Sequence, residues 1–255
     1  MKRKLILLTV LFLLVPGLGF SDMFTFKVGY FIPRASSDLW QDEFDQMDFN
    51  KSNFQNTNFS FAYEYFLAPQ LSVVLGIDSY SKNKLGSYIG FVGYQLVEGD
   101  FAFPDDYEGD YIPGHVFSVS ITPIQLSLKL TPTGRRNKIT PYVGGGIGLY
   151  IWNVKLYGDL IDFSEEWYYE DPDVGDIVIF PIWSVDAREE NKLAIGYHVF
   201  GGFMMPIARR ITIDVEFKYS AAKGNFSEDS LTGFEGFEPF DLGGYQISAG
   251  INYWF

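Results

Sequence analysis

The feature that most constrains this chain is its final segment, Tyr245-Gln246-Ile247-Ser248-Ala249-Gly250-Ile251-Asn252-Tyr253-Trp254-Phe255. Its odd-numbered positions are apolar or aromatic, and most of the even-numbered ones are small or polar. Strict alternation of this kind is the period of a β-strand with one greasy face and one wet face. About ten residues is also the length a tilted strand needs to cross a bilayer. Such a strand cannot stand alone, so the rest of the chain must supply partners of the same kind.

Seven further segments alternate in the same way. Residues 23–33 set Phe24, Phe26, Val28, Tyr30 and Ile32 against Thr25, Lys27 and Gly29. Residues 57–66 set Phe59, Phe61, Tyr63 and Tyr65 against Ser60, Ala62 and Glu64. The others are 71–81, 115–131, 139–155, 192–205 and 210–222. In 115–131 the apolar phase changes near Pro123, which predicts a bulge. The connections alternate long and short: 34–56, 67–70, 82–114, 131–138, 156–191, 206–209 and 223–243. The long ones read as polar, mostly acidic loops. Apolar pieces such as Ile177-Val178-Ile179-Phe180 predict hairpins that extend a barrel upward, with ten strands as the alternative count. A soluble sandwich also alternates, but it needs neither the long-short rhythm nor aromatic bands at strand ends.

Residues 1–21 have a different character. Lys2, Arg3 and Lys4 precede an apolar run from Leu5 to Val15, and small-x-small sites end at Gly19 and Ser21. This reads as a signal peptide, cut after Ser21, ahead of one domain over 22–255. The apolar run is too short to span a membrane as a helix. The chain has no cysteine, which excludes a lipoprotein anchor and disulfides. Its net charge is −13, and losing Lys2, Arg3 and Lys4 makes that −16 for 22–255. Nucleic acid is therefore not expected as a partner, because phosphate binding needs a basic face.

Two stretches carry a family resemblance. Phe255, with Tyr253, Ile251 and Gly250 before it, resembles the assembly signal of bacterial outer-membrane barrels. Thr122 to Leu130 followed by Pro141 to Tyr150 resembles the central hairpin of small outer-membrane barrels, among them the OmpW-like family and the general outer-membrane β-barrel domain family. The resemblance implies an all-β, eight-stranded antiparallel up-and-down transmembrane barrel with short periplasmic turns and long extracellular loops. It implies residence in the outer membrane among lipid and lipopolysaccharide. It also implies insertion by the barrel-assembly machinery through Tyr245, Ile247, Gly250, Ile251, Tyr253 and Phe255. A monomer is expected. The OmpW-like resemblance further implies a narrow conduit or binding barrel for small hydrophobic solutes.

An eight-stranded barrel has an interior that side chains fill, or that holds one small ligand. The inward positions are Lys27, Glu64, Asp78, Lys129, His198, Asp214, Glu216 and Lys218. Their mixed signs predict internal ion pairs, and the turn at 206–209 is expected to set His198 opposite Glu216 or Lys218. Two readings stay open. A plugged interior would leave the acidic loops as the working part, in a structural or surface-interaction barrel. A conduit would use the small and apolar path of Val74, Gly76, Gly144, Gly146 and Phe200.

No enzyme is expected. The chain has two histidines. His115 sits at a loop–strand junction, and His198 is followed by Val199 and Phe200, so a His-x-Ser pattern is missing. Asp105-Asp106 with Glu108 and Asp110, and Glu170-Asp171 with Asp173 and Asp176, lack calcium-loop spacing, so no metal or cofactor is assigned. Trp40, Phe44, Trp167, Tyr168, Tyr169 and Trp183 either pack the raised hairpins or form a binding surface. Gly144, Gly145, Gly146 and Gly148 leave room for Tyr142, Tyr150 and Trp152.

Overall fold

The computed structural model describes residues 22–134, 138–227 and 233–255. The signal peptide expected over 1–21, residues 135–137 of the second short turn and residues 228–232 of the last long connection lie outside the described residues.

Eight strands close a ring. They are β1 (Met23–Pro33), β2 (Asn56–Ala68), β3 (Leu71–Ser87), β6 (Gly114–Leu130), β7 (Thr140–Ile161), β9 (Gly175–Ala208), β10 (Ile211–Gly224) and β12 (Gly244–Trp254). Each pairs antiparallel with the next, and β12 returns to β1 from Met23↔Trp254 to Pro33↔Gly244. The topology is the expected up-and-down eight-stranded barrel. Alternation is the cause: Phe24, Phe26, Val28 and Tyr30 point outward and stay exposed, while Thr25 and Lys27 point inward and are buried. The outward belt continues through Phe61, Ile77, Leu126, Ile147, Ile195 and Ile251. A closed ring leaves no unpaired edge, and an apolar belt around it suits hydrocarbon rather than water.

The first long connection departs from the loop expectation, while the second and third hold the raised hairpins expected of them. Residues 34–56 hold a helix, α1 (Asp38–Gln46), and a 3-10 turn (Lys51–Phe54). Residues 82–114 hold the end of β3 and a hairpin of β4 (Phe91–Leu96) and β5 (Gly99–Pro104). Residues 156–191 are largely strand: the end of β7, β8 (Trp167–Asp171) and the start of β9. β5 and β8 flank the tip of β9, so β4, β5, β9 and β8 form a four-stranded sheet above the barrel. A two-residue strand, β11 (Phe240–Asp241), pairs with the end of β10.

The bulge expected at Pro123 is absent. β6 pairs with β7 without a register shift from His115↔Gly158 to Leu130↔Val143. What changes at Pro123 is the chemistry of the faces. Below it Gln125, Ser127 and Lys129 face inward and Ile124, Leu126, Leu128 and Leu130 outward. Above it Phe117, Val119 and Ile121 face inward, and Ser118, Ser120 and Thr122 outward. An irregularity does occur between Trp152 and Val154, where Asn191 takes a φ of 53°.

The β9–β10 turn also differs from expectation. β9 runs through Pro206 to Ala208, so the turn sits at Arg209 and Arg210, and His198 pairs with Ser220. Glu216 and Lys218 lie opposite Gly202 and Phe200 instead. The room for large inward rings comes mainly from neighbouring strands: a Cβ at Gly202 would strike the Tyr142 ring, at Gly196 Tyr150, and at Gly224 Trp152. Gly144 accommodates Phe200.

Candidate functional site

The barrel interior is divided into two tiers. The lower tier is polar, and all eight inward residues named from the sequence are buried in it. Lys27 Nζ lies 2.6 Å from Glu216 Oε2 and 3.2 Å from Asp214 Oδ1. The Tyr142 hydroxyl reaches both carboxylates, at 2.9 Å to Asp214 and 3.1 Å to Glu216. Lys129 Nζ donates to Glu64 Oε2 at 2.8 Å and stands 4.1 Å from the Tyr142 ring centre. Ser72 Oγ donates to the other Glu64 oxygen at 2.5 Å. Lys218 Nζ donates to Asp78 Oδ2 at 2.8 Å and to Gln125 Oε1 at 3.0 Å. Three lysines thus meet four carboxylates across the lumen. Buried charge of this kind is tolerable only when it is paired and its remaining donors and acceptors are used.

His198 stands apart from these pairs. Its Nε2 is 2.6 Å from Ser127 Oγ, and its ring lies nearly parallel to Phe200 with centroids 6.0 Å apart. Nucleophile activation would require a third group to orient the imidazole. Among the described residues its Nδ1 has no hydrogen-bond partner. Tyr142, Ser72, Gln125 and Ser127 were not among the residues named as a network. Each except Tyr142 is a polar side chain at an inward strand position, which was the available signal. Tyr142 was read as filler, and its hydroxyl gives it the second role.

The upper tier is apolar, and α1 fills it. Trp40 is buried, with its ring 5.0 Å from Phe54, 5.1 Å from Phe117 and 5.2 Å from Phe240. Phe240 also stacks on Trp152 at 5.9 Å. Asp241, above the apolar belt, holds the helix entry. It accepts from Arg34 Nε and Nη2 at 2.8 and 2.7 Å and from Ser36 Oγ at 2.7 Å, while Trp40 Nε1 donates to its carbonyl at 3.2 Å. Burial alone would raise the Asp241 carboxyl, but the bonds from Arg34 and Ser36 outweigh it and hold the group below its usual value. Ala35, between these donors, takes a φ of 49°, an uncommon conformation for a residue with a Cβ. Glu43 on α1 meets His115 Nε2 at 2.9 Å, and His115 Nδ1 lies 3.2 Å from the Asp159 carbonyl. His115 therefore does have an acid beside it, supplied by a helix that the sequence reading treated as loop.

Little space remains. The lower tier encloses a cavity of about 40 Å³ beside Lys27, Glu64 and His198, and another of about 20 Å³ lies beneath Tyr80 and Tyr150. These volumes suit a few waters. No group of three or more His, Asp or Glu side chains among the described residues is placed to hold a metal ion. Outside, Tyr245, Ile247, Ile251 and Tyr253 are exposed on the outer face of the closing seam, and Phe255 packs 5.1 Å from Phe24. Gly250 faces inward, beside the Lys27 stem.

No protein-family model matches the sequence, and no curated protein matches it. In structure the chain is similar to the outer membrane protein OprG from Pseudomonas aeruginosa, at 12% identity and a TM-score of 0.48, over 92% of this chain and 95% of that one. It is similar to Neisserial surface protein A at 13% identity and a TM-score of 0.45, over 92% and 97%. It is also similar to the N-terminal beta-barrel domain of Pseudomonas aeruginosa OprF, at 8% identity and a TM-score of 0.42, over 92% and 97%.

Proposed function

We propose that this protein is a non-enzymatic barrel of the outer membrane with a closed interior, and that its working part is the acidic extracellular sheet. One observation carries this reading: two stacked fillings, one ionic and one aromatic, occupy the barrel, and the cavities beside the lower one among the described residues measure about 40 and 20 Å³. A conduit for hydrophobic solutes would need both to move. In this reading the chain is exported by cleavage after Ser21 and delivered to the membrane through Tyr245, Ile247, Gly250, Ile251, Tyr253 and Phe255. It would sit there as a monomer among outer-membrane lipid and lipopolysaccharide. The Ser127–His198 contact serves packing and hydrogen bonding rather than catalysis.

The test is planar-bilayer conductance of the refolded protein, with Glu216→Ala alongside. The expected result is silence from the wild type. Steady single-channel conductance from the wild type would overturn the closed-interior reading and restore the conduit.

A further inference from the structure

One face of the sheet above the barrel carries a small aromatic cluster whose outer rings stay part-exposed. Phe101 and Phe103 of β5 and Ile179 of β9 are buried beneath it. Over them lean Tyr94, 4.5 Å from Phe103, Trp167, 5.1 Å from Phe101, and Tyr169, 5.3 Å from Phe103. Trp167 and Tyr169 remain 42% and 38% exposed. A sheet normally buries both faces or turns one polar side to water. This face is aromatic instead, and Trp167 and Tyr169 keep part of their surface in solvent.

Charge decides what fits it. Residues 88–114 and 156–191, the two excursions that build the sheet, contain six and eleven acidic residues against one cation, Arg188, which is paired with Asp186. One acid is placed at the aromatic face itself, where Trp167 Nε1 donates to Glu165 Oε1 at 3.0 Å. An anionic partner would be repelled, and a purely apolar one would leave the surrounding carboxylates desolvated and unpaired. A guanidinium or ammonium satisfies both features, since it stacks on aromatic faces and pairs with carboxylates.

We infer that this aromatic face docks a cationic protein segment rich in arginine or lysine. The inference rests on the closed-interior reading, in which the extracellular sheet is the working part. The segment lies across β8 and β5, with its cations over Trp167 and Tyr169 and paired with the surrounding acids.

Calorimetric titration of the refolded full chain in micelles with hexa-arginine tests it, with hexa-glutamate as control. Saturable binding of hexa-arginine alone is expected, weakening as salt rises. Trp167→Ala with Tyr169→Ala should weaken it about tenfold. These positions lie on β8, beyond the end of the β7–β9 ladder at Ile161↔Ile182, and unchanged barrel circular dichroism confirms the fold. No binding at low ionic strength overturns the inference. So does equal affinity of the double variant, which would show only a diffuse counter-ion layer over the acids. Bilayer conductance is read separately, so failure of the closed-interior reading is distinguishable from failure of the docking face.

Discussion

Replacing Lys129 with methionine keeps most of the side-chain length and removes the charge. In the folded barrel this strands Glu64, whose side chain is 2% exposed and whose remaining bond comes from Ser72. Removing one partner of a buried pair costs about 3–5 kcal/mol, because the other charge stays desolvated. The contact between the ammonium and the Tyr142 ring is lost as well. At about 1.4 kcal/mol per factor of ten, the folded-to-unfolded ratio falls by at least about a hundredfold. The assay is urea unfolding in micelles, followed by tryptophan emission and by the gel mobility of the folded barrel. A second variant, Glu64→Leu with Lys129→Met, replaces the pair by apolar side chains and should regain most of the loss. A single variant within about 0.5 kcal/mol of wild type, or a double variant whose effect is the sum of its parts, would refute the pairing argument.

Other perturbations separate the tiers. Trp40→Ala should cost about 3–5 kcal/mol locally, read as faster amide exchange over α1 with the amides of β6 and β7 still protected; it should not open a conductance, because the ionic tier remains. The Asp241 clasp should be pH-dependent. Its carboxyl is held below its usual value, so its contribution is complete above the unfolded value of about 3.9 and lost as pH falls through the lower folded value. Exchange over α1 should therefore accelerate only below about pH 4, and in Asp241→Asn it should be fast already at neutral pH. Deleting Phe255 should lower the amount of protein inserted in the outer membrane of cells, measured by surface protease accessibility; unchanged insertion would count against the assembly role.

The strands were legible where one face meets lipid and the other a polar interior. Residues 23–33 were read with the bounds of β1, and the inward positions of β10 followed from the alternation of Thr212, Asp214, Glu216 and Lys218. Above the belt the same alternation continues with the polarity of the faces exchanged. A search for an outward apolar face therefore ends β3 and β7 too early, begins β9 too late, and mistakes the exchange at Pro123 for a bulge. α1 was illegible for a different reason. A helix of nine residues is marginal on its own and is held by tertiary contacts. Those contacts come from Phe117, Phe240 and Asp241, far away in the chain. The pairing of His115 with Glu43 depends on the same docking.

In the proposed membrane setting, the exchange of faces along β6 and β7 would also fix insertion depth. Leu149 and Ile124 are the last paired outward aliphatics before Ile151 and Thr122, and one step further Asn153 donates to Ser120 at 2.8 Å. Two residues of a strand tilted at about 40° rise roughly 5 Å along the membrane normal. Sinking the barrel by that amount would carry the Asn153–Ser120 pair toward hydrocarbon, and raising it would lift an aliphatic ring into water. The protein cannot meet a thicker or thinner bilayer by sliding, so the lipid around it must stretch or compress to match.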